Sequence, residues 1–241
     1  MRFQKTIVMK NIIFFISALF LISQSVLAQD MVTENRNVSN FSSLKVGSGI
    51  DLYLKQNNTE KISVSAPSDK IGRLVTEVRS GVLNIYFEKS NWNWNWSSKS
   101  SPKVMLSFKD LNSIIANGGS DVFSEGRLLF DKIHIEANGG SDVKLELTAD
   151  AVDCETSGGS DAILIGTTKY FKGSASGGSD LKAKDLRSQS SRVQSSGGSD
   201  VYIWVEGELV ANSSGGSDIY YYGNPKSVQK HSSGGSDISR R

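Results

Sequence analysis

Cysteine, histidine and proline are all scarce in this chain of 241 residues, which contains one cysteine, two histidines and three prolines. A single cysteine excludes a disulfide framework and a zinc site built from several cysteines. The formal net charge is only +2, so the excess of basic residues that marks nucleic-acid-binding proteins is absent as well. The sequence therefore predicts no nucleic-acid partner.

The net positive charge comes from the N-terminus, where the first 28 residues hold three basic residues and no acidic one. Subtracting those three leaves 24 basic against 25 acidic residues, a net charge of −1. Lys10 precedes an apolar run over residues 12–22, which is shorter than the roughly 20 residues of a membrane-spanning helix. Val26 and Ala28 then supply small residues at the −3 and −1 positions of a cleavage site.

These features predict a secretory signal peptide over residues 1–28 and an exported mature protein without a transmembrane span. A retained N-terminal anchor is the alternative. The expected location is the periplasm, the outer surface or the medium. Residues 29–37 are predicted to be a flexible leader.

The turn sequence Gly-Gly-Ser-Asp occurs seven times in the second half of the chain. Its aspartates, at intervals of 21, 19, 19, 20, 18 and 19 residues, are Asp121, Asp142, Asp161, Asp180, Asp200, Asp218 and Asp237. Both flanks of each turn alternate between apolar and polar residues, as in residues 133–137 before one turn and residues 143–147 after it. A period of two is the signature of a β-strand. Each copy is therefore predicted to be a strand, a tight glycine turn, a strand and a looser turn.

A hairpin of this size cannot bury its apolar face alone, so the copies are expected to stack. Stacking predicts an all-β fold, a β-solenoid whose coils of about 19 residues lie about 4.8 Å apart. An antiparallel sandwich or barrel is the alternative, although its hairpins need not keep one identical turn at a near-constant interval. Small inward residues such as Ala137, Cys154 and Ala211 predict a narrow coil, with Cys154 buried rather than reactive.

Residues 38–110 lack the repeat but also contain alternating segments, for example Leu83-Asn84-Ile85-Tyr86-Phe87. They are predicted to form irregular N-terminal coils and a cap. The regular repeats then occupy residues 111–241. Residues 38–241 are thus expected to be one continuous domain.

Three motifs together carry a family resemblance: Phe41-Ser42-Ser43-Leu44-Lys45-Val46 followed by Gly49-Ile50-Asp51, the segment Gly81-Val82-Leu83-Asn84-Ile85, and the run of Gly-Gly-Ser-Asp turns. On these the chain resembles the head GIN domain or auto-transporter adhesin family, exported bacterial proteins of unknown function that are frequent in Bacteroidetes. The resemblance covers about residues 38–238. Asp51 stands where the family name suggests asparagine. The resemblance implies a right-handed parallel β-helix and a role in cell adhesion.

The seven aspartates are the first candidates for chemistry, because a solenoid would stack them about 4.8 Å apart. At that spacing neighbouring carboxylates repel by about 1 kcal/mol in water, so something must offset the repulsion. Asp and Ser side chains could bond the N–H groups of the glycine turn. Alternatively the row could hold cations, Ca²⁺ included. Calcium β-rolls, however, repeat a different glycine–aspartate element every nine residues, so the structural role is favoured and no cofactor is predicted.

A polysaccharide-active enzyme is the lesser alternative, since β-helices also support lyases and hydrolases. Glycoside hydrolysis needs two carboxylates in different environments. Seven equivalent aspartates offer no such asymmetry, and neither His134 nor His231 is placed to form a triad with a repeated Ser-Asp pair. On a strand, His134 would point outward between Ile133 and Ile135. The sequence therefore predicts a protein that is not an enzyme.

Aromatic residues give the clearest binding candidates. Trp92, Trp94 and Trp96 alternate with asparagines, so an extended chain would place the three indoles on one face. Such a row suits sugar rings or a membrane interface, but it could equally be a hairpin that covers an open edge of the solenoid, or a flexible loop. A second aromatic group, Tyr220-Tyr221-Tyr222 with Tyr202 and Trp204 one coil earlier, is expected to face partly outward, and stacking of Tyr202 on Tyr220 would form an outward aromatic ladder.

Two function classes remain after these exclusions. The leading prediction is a non-enzymatic exported β-solenoid that acts as an adhesion or ligand-binding module at the cell envelope, with carbohydrate or a cell-surface protein as partner. The alternative is a structural scaffold, a homo-oligomer that assembles through solenoid ends or edges.

Overall fold

The computed structural model describes residues 30–88 and 101–241. These ranges contain sixteen strands and one 3₁₀-helix, Ile71–Arg73. The strands are β1 (Met31–Arg36), β2 (Ser43–Val46), β3 (Asp51–Gln56), β4 (Lys61–Pro67), β5 (Leu74–Arg79), β6 (Val82–Phe87), β7 (Lys103–Phe108), β8 (Ser113–Asn117), β9 (Asp121–Asn138), β10 (Val143–Ser157), β11 (Asp161–Ser176), β12 (Asp180–Ser196), β13 (Asp200–Gly215), β14 (Asp218–Tyr222), β15 (Ser227–Gly234) and β16 (Asp237–Arg240).

The predicted β-solenoid is confirmed. Strands β9 to β13 each run from one glycine turn to the next and pair in parallel with the equivalent strand of the neighbouring coil. The pairing keeps the copies in register, so that Asp161 aligns with Asp180 and Asp180 with Asp200. Strand β13 then pairs with both β14 and β15, and β16 pairs with β14.

Burial follows the period of two that the sequence shows. Val143, Leu145 and Leu147 of β10 are buried, whereas Lys144 and Glu146 between them are not. Further along the same strand the small residues Cys154 and Thr156 are also fully enclosed. Equivalent inward side chains of successive coils therefore form one continuous core.

Both glycines of the turn have the left-handed backbone conformation in the regular copies that precede residue 200, for example φ of +67° at Gly158 and +75° at Gly159. This conformation is unfavourable for residues that carry a Cβ. The coils also approach closely here: a Cβ on Gly158 would lie 3.3 Å from the backbone nitrogen of Gly139. The repeated Gly-Gly pair is thus required both by the turn and by the stacking.

The N-terminal region begins with an irregular coil of the same solenoid. Strand β2 pairs in parallel with β8, and β3 pairs in parallel with β9. Beyond this coil, β6 and β7 pair in parallel with β2 and β3. The pairing then becomes antiparallel, with β5 on β6, β4 on β7 and β1 on β4.

The expectation that residues 29–37 are a flexible leader was wrong. Residues 31–36 form β1, which pairs with β4 over its whole length. The Thr33 hydroxyl donates to that of Ser65 at 3.2 Å, and Arg36 binds Glu34 together with the backbone carbonyls of Leu74 and Ile71. An unpaired edge of β4 gave this polar segment backbone partners that its own sequence does not reveal.

At the other end, β15 pairs only with β13 among the described strands, and all its residues are exposed. Lys230 aligns with the buried Ala211 and so occupies an inward position. Its ammonium group lies 4.6 Å from the ring centre of Tyr221 and donates to the carbonyl of Ile238 at 3.1 Å. A charged group therefore closes the last coil. No helix within residues 30–88 and 101–241 is long and apolar enough to span a membrane.

Candidate functional site

The structure brings the seven predicted aspartates into one ladder along the edge of the glycine turns. An eighth member, Asp51, was not predicted from the sequence; it pairs in register with Asp121. The signal was present: Ser48 and Gly49, which precede Ile50 and Asp51, have φ of +72° and +70°, the same conformation as a Gly-Gly pair. The segment Ser48-Gly49-Ile50-Asp51 is therefore a degenerate copy of the Gly-Gly-Ser-Asp turn.

The carboxylates link successive coils, rather than bonding their own turn as the sequence suggested. In each link the backbone N–H of one aspartate donates to Oδ1 of the aspartate one coil earlier. The donor–acceptor pairs are Asp142 to Asp121 (3.1 Å), Asp161 to Asp142 (3.2 Å), Asp180 to Asp161 (3.2 Å), Asp218 to Asp200 (3.3 Å) and Asp237 to Asp218 (2.9 Å). A hydrogen bond to a charged acceptor is stronger than one to a neutral acceptor, so these links offset the mutual repulsion.

The serines of the first six turns lie on the other side of the backbone and are fully buried, whereas Ser236 of the seventh turn is partly exposed. In the earlier coils their hydroxyls accept N–H groups from the coil before, as between Ser120 and Ser141 at 3.1 Å. In later coils the hydroxyl donates within its own turn, as from Ser217 to the Ser214 carbonyl at 2.8 Å. The buried serines thus satisfy backbone groups and are not accessible to a ligand.

The second oxygen of several aspartates meets a cation or a phenol. Lys182 lies 2.7 Å from Oδ2 of Asp161 and 3.0 Å from Oδ2 of Asp180. Partial burial disfavours the charged form of Lys182, but the hydrogen bonds to both carboxylates raise its pKa overall. At the start of the ladder, burial and the neighbouring carboxylate raise the pKa of Asp51, and burial is also the main cause that raises the pKa of Asp121.

These contacts describe a structural ladder. In the part of the chain that the structure describes, no group of three or more His, Cys, Asp or Glu side chains is arranged to hold a metal ion. Each ladder carboxylate that accepts a backbone N–H has one oxygen already engaged. The chemistry that the geometry supports here is the joining of coils.

The predicted aromatic ladder is present on the outer face of the later coils. Tyr202 stacks on Tyr220 with ring centres 5.0 Å apart, and Trp204 stacks on Tyr222 at 6.5 Å. The Tyr202 hydroxyl donates to Asp200, and burial together with this carboxylate raises the pKa of Tyr202 to about 12. Because these rings cover one another's faces, the ladder mainly stabilises the sheet.

The remaining candidates from the sequence are placed as follows. Cys154 is fully buried, and burial followed by the charges of Asp153 and Glu155 raises the pKa of its thiol far above the usual range. The His134 ring is half-exposed, 2.8 Å from Glu136 and 3.8 Å from Asp153. The buried Cys154 thiol therefore lacks the environment of an activated nucleophile.

Trp92, Trp94 and Trp96 lie outside the described residues. The described residues next to that segment are placed at the glycine-turn end of the first coil. The backbone N–H of Phe87 donates to the Ser48 hydroxyl at 3.3 Å, and that of Asp51 donates to the Pro102 carbonyl at 2.9 Å. The described residues on both sides of the segment therefore lie beside the first rung of the aspartate ladder.

The same N-terminal region contains a cleft that sequence analysis missed, with a volume of about 890 Å³. Its floor crosses β1, β4, β7 and β3, whose register places the outward residues in one row: Asn35, Ser63, Met105 and Tyr53. The row continues into Phe123 of β9, on which Tyr53 stacks at 5.3 Å. The strand pairings that build this row are non-local and partly antiparallel, so no periodicity in the sequence indicates them.

A second row lies beside the first, with Lys61 aligned to Ser107 and Ser107 to Lys55. Glu60 and Glu125 also line the cleft, and the segment after β1, residues 37–39, forms one wall. This wall is tied to the floor because the backbone N–H of Asn40 donates to Glu60 at 3.3 Å. The lining therefore combines an aromatic ring, a thioether, hydroxyls, amides and balanced charges.

With this geometry established, comparison with known proteins identifies the family. Residues 40–225 match the family model described as "Putative auto-transporter adhesin, head GIN domain". The chain belongs to this family. The resemblance that the motifs suggested is thereby confirmed, and the head GIN domain covers most of the chain. No curated protein matches the chain.

Solved structures similar to this head GIN protein include proteins from Bacteroides and Parabacteroides species. A "putative adhesin" from Bacteroides fragilis is 22% identical with a TM-score of 0.83, and the match covers 88% of this chain and 98% of that one. A "putative adhesin" from Parabacteroides merdae is 17% identical with a TM-score of 0.72, covering 88% and 96%. A "putative lipid binding protein" from Parabacteroides distasonis is 20% identical with a TM-score of 0.69, covering 88% and 97%. At these identities the likeness shows the fold alone.

Proposed function

We propose that this protein is a non-enzymatic module of the bacterial cell envelope that is exported and binds carbohydrate or protein at a cell surface. The observation that carries the proposal is the cleft on the outer face of β1, β4, β7 and β3, with a volume of about 890 Å³. Volumes of roughly 300–1,000 Å³ are typical of ligand sites. The family description as an adhesin agrees with a binding role.

The cleft has the properties of a preorganised binding site. Its floor residues project from paired strands, so their backbone is fixed before any ligand arrives. Tyr53 is already immobilised against Phe123, and Met105 is 41% exposed despite its apolar side chain. Because these apolar and polar groups are already rigid, less conformational entropy is lost when a ligand binds.

Trp92, Trp94 and Trp96 are proposed as further contacts to the same partner. Their segment precedes β7, which supplies Met105 and Ser107 to the floor of the cleft. The ladder aspartates are proposed to be structural, with no cofactor, because their oxygens accept backbone N–H groups and the Lys182 ammonium.

The scaffold alternative has one observation against it. Lys230 sits at an inward position of the last coil, and inward charges are a common device by which β-proteins prevent edge-to-edge association. A binding module therefore agrees better with the structure than an end-to-end assembly.

The test is retention of the purified protein on immobilised envelope polysaccharides and on whole bacterial cells. The Ser63→Trp variant fills the floor of the cleft from a half-exposed position. We expect it to lose at least nine-tenths of the retained protein. Tyr220→Ala, a change on the same face but in the distal ladder, should retain as much as the wild type.

A second comparison addresses the tryptophans. The triple variant Trp92→Ala, Trp94→Ala, Trp96→Ala should lower retention, and tryptophan fluorescence of the wild type should shift on binding. Equal retention of wild type and Ser63→Trp, with both folded by circular dichroism, would refute the proposed function.

A further inference from the structure

Resting on the proposed function, we infer that the ligand of the cleft is a neutral oligosaccharide. The row Asn35, Ser63, Met105, Tyr53 crosses four adjacent strands on the floor of the cleft. Strands lie about 4.8 Å apart, so with β9 the row is roughly 19 Å long. An elongated ligand of a few rings fits this floor better than a compact metabolite.

The order of side chains along the floor matches the two faces of a sugar. Tyr53 and Met105 offer apolar surface to the C–H face of a pyranose ring. Ser63 lies opposite Met105 on β4, and Ser107 follows Met105 two residues later on β7, so both hydroxyls border that surface. Asn35 at the end of the row and Asn37 in the wall add amides. Each of these polar groups can both donate to and accept from ligand hydroxyls.

The charges of the lining disfavour a strongly ionic ligand. The number of lysines, Lys55 and Lys61, equals the number of glutamates, Glu60 and Glu125. Arg36, the remaining cation of the lining, is engaged by Glu34 at 2.9 Å and by the carbonyl of Ile71 at 2.9 Å. Without an unbalanced charge, the cleft has no electrostatic preference for uronic acids, sulfated sugars or phosphate groups.

The lining also disfavours a lipid chain. An acyl chain gains free energy from continuous apolar burial, whereas here Ser63 separates Met105 from Asn35 and Ser107 separates Lys55 from Lys61. Burying those hydroxyls against hydrocarbon would leave them without hydrogen-bond partners, which is unfavourable.

The experiment is calorimetric titration of the full-length protein with defined probes. These are neutral hexasaccharides of glucose, mannose and galactose, with hexagalacturonate as the charged comparison and palmitate as the apolar one. We expect saturable binding of at least one neutral hexasaccharide, with an affinity that changes less than twofold between 50 and 500 mM NaCl. Tyr53→Ala should weaken it at least tenfold, and Ser63→Trp should abolish it.

Tyr220→Ala is the matched control, because it removes the same side chain from the same outer face while leaving the cleft intact. Its affinity should stay within twofold of the wild type. Preference for hexagalacturonate with steep salt dependence, or binding of palmitate alone, would overturn the ligand class. Loss of binding in Tyr220→Ala but not in Tyr53→Ala would overturn the location. Should no probe bind while surface retention still depends on Ser63, the inference fails and the proposed function stands.

Discussion

The structural interpretation of the aspartate ladder makes a sharp prediction at Asp142. Its Oδ1 accepts the backbone N–H of Asp161 at 3.2 Å, and its neighbours in the ladder are the carboxylates of Asp121 and Asp161. Two substitutions separate the two effects. Asn keeps an acceptor oxygen and removes the charge, whereas Ala removes both.

The magnitudes follow from the spacing and from the hydrogen bond. Each neighbouring charge about 4.8 Å away repels Asp142 by about 1 kcal/mol in water. Screening at physiological salt reduces the combined relief in either variant to roughly 1 kcal/mol. A charged acceptor contributes about 2 kcal/mol and a neutral one about 1 kcal/mol. Asp142→Asn should therefore be close to neutral, and Asp142→Ala should be less stable than Asp142→Asn by about 1 kcal/mol.

Thermal unfolding followed by circular dichroism measures the difference, which corresponds to about 2–4 °C in Tm for a chain of this size. Lowering the salt should favour Asp142→Asn over the wild type, because repulsion then grows. Addition of 1 mM Ca²⁺ should leave all three melting temperatures unchanged. If Asn and Ala variants melt together, the inter-coil hydrogen bond has no energetic role. If Ca²⁺ stabilises the wild type alone, the ladder is a cation site.

Three further predictions concern other parts of the solenoid. The pKa values of Asp51 and Asp121 are raised in the folded protein, so ionisation of these carboxyls lowers the stability of the fold at pH values above their folded pKa. This destabilisation disappears at lower pH, where the carboxyls are protonated. The double variant Asp51→Asn, Asp121→Asn should thus melt above the wild type at pH 7, and the gap should close below about pH 3.9, where both carboxyls are protonated even in the unfolded chain. Gly158→Ala should lower the free energy of unfolding, measured by chemical denaturation, by about 2 kcal/mol. The loss should exceed that of Gly159→Ala, because only a Cβ at position 158 contacts the preceding coil, at 3.3 Å. Equal losses would contradict the close approach. Lys230→Leu should cause concentration-dependent self-association in light scattering, and a variant that stays monomeric would show that this lysine does not protect the last coil.

The regular coils could be predicted from the sequence because three features of the repeat all indicate the same structure. The glycine pair specifies the turn, the alternation specifies the faces, and the near-constant interval specifies parallel stacking in register. Val143 and Leu145 are buried as their positions require. A parallel solenoid pairs each residue with its equivalent one copy later, so the repeat itself encodes the tertiary contacts.

Where the repeat is absent, the contacts could not be read in this way. β1 pairs with β4 about thirty residues later and in antiparallel orientation, with Thr33 opposite Ser65. Nothing in either segment specifies the other as its partner, because both are polar on the outer face. The cleft depends on this pairing, and it therefore emerged only from the structure, as did the inter-coil direction of the aspartate hydrogen bonds.

The two regions of the solenoid thus differ in what their outward residues are able to do. In the regular coils, stacking places equivalent residues side by side, so aspartates bond the next coil and Tyr202 covers the face of Tyr220. In the regular coils the outward groups therefore contact one another and are not free to contact a ligand. In the irregular coils, neighbouring strands carry different residues, so Tyr53 lies between Phe123 on one side and Met105 on the other. Because recognition of a ligand needs unlike groups at adjacent positions, the part of the chain that departs from the repeat is the part suited to binding.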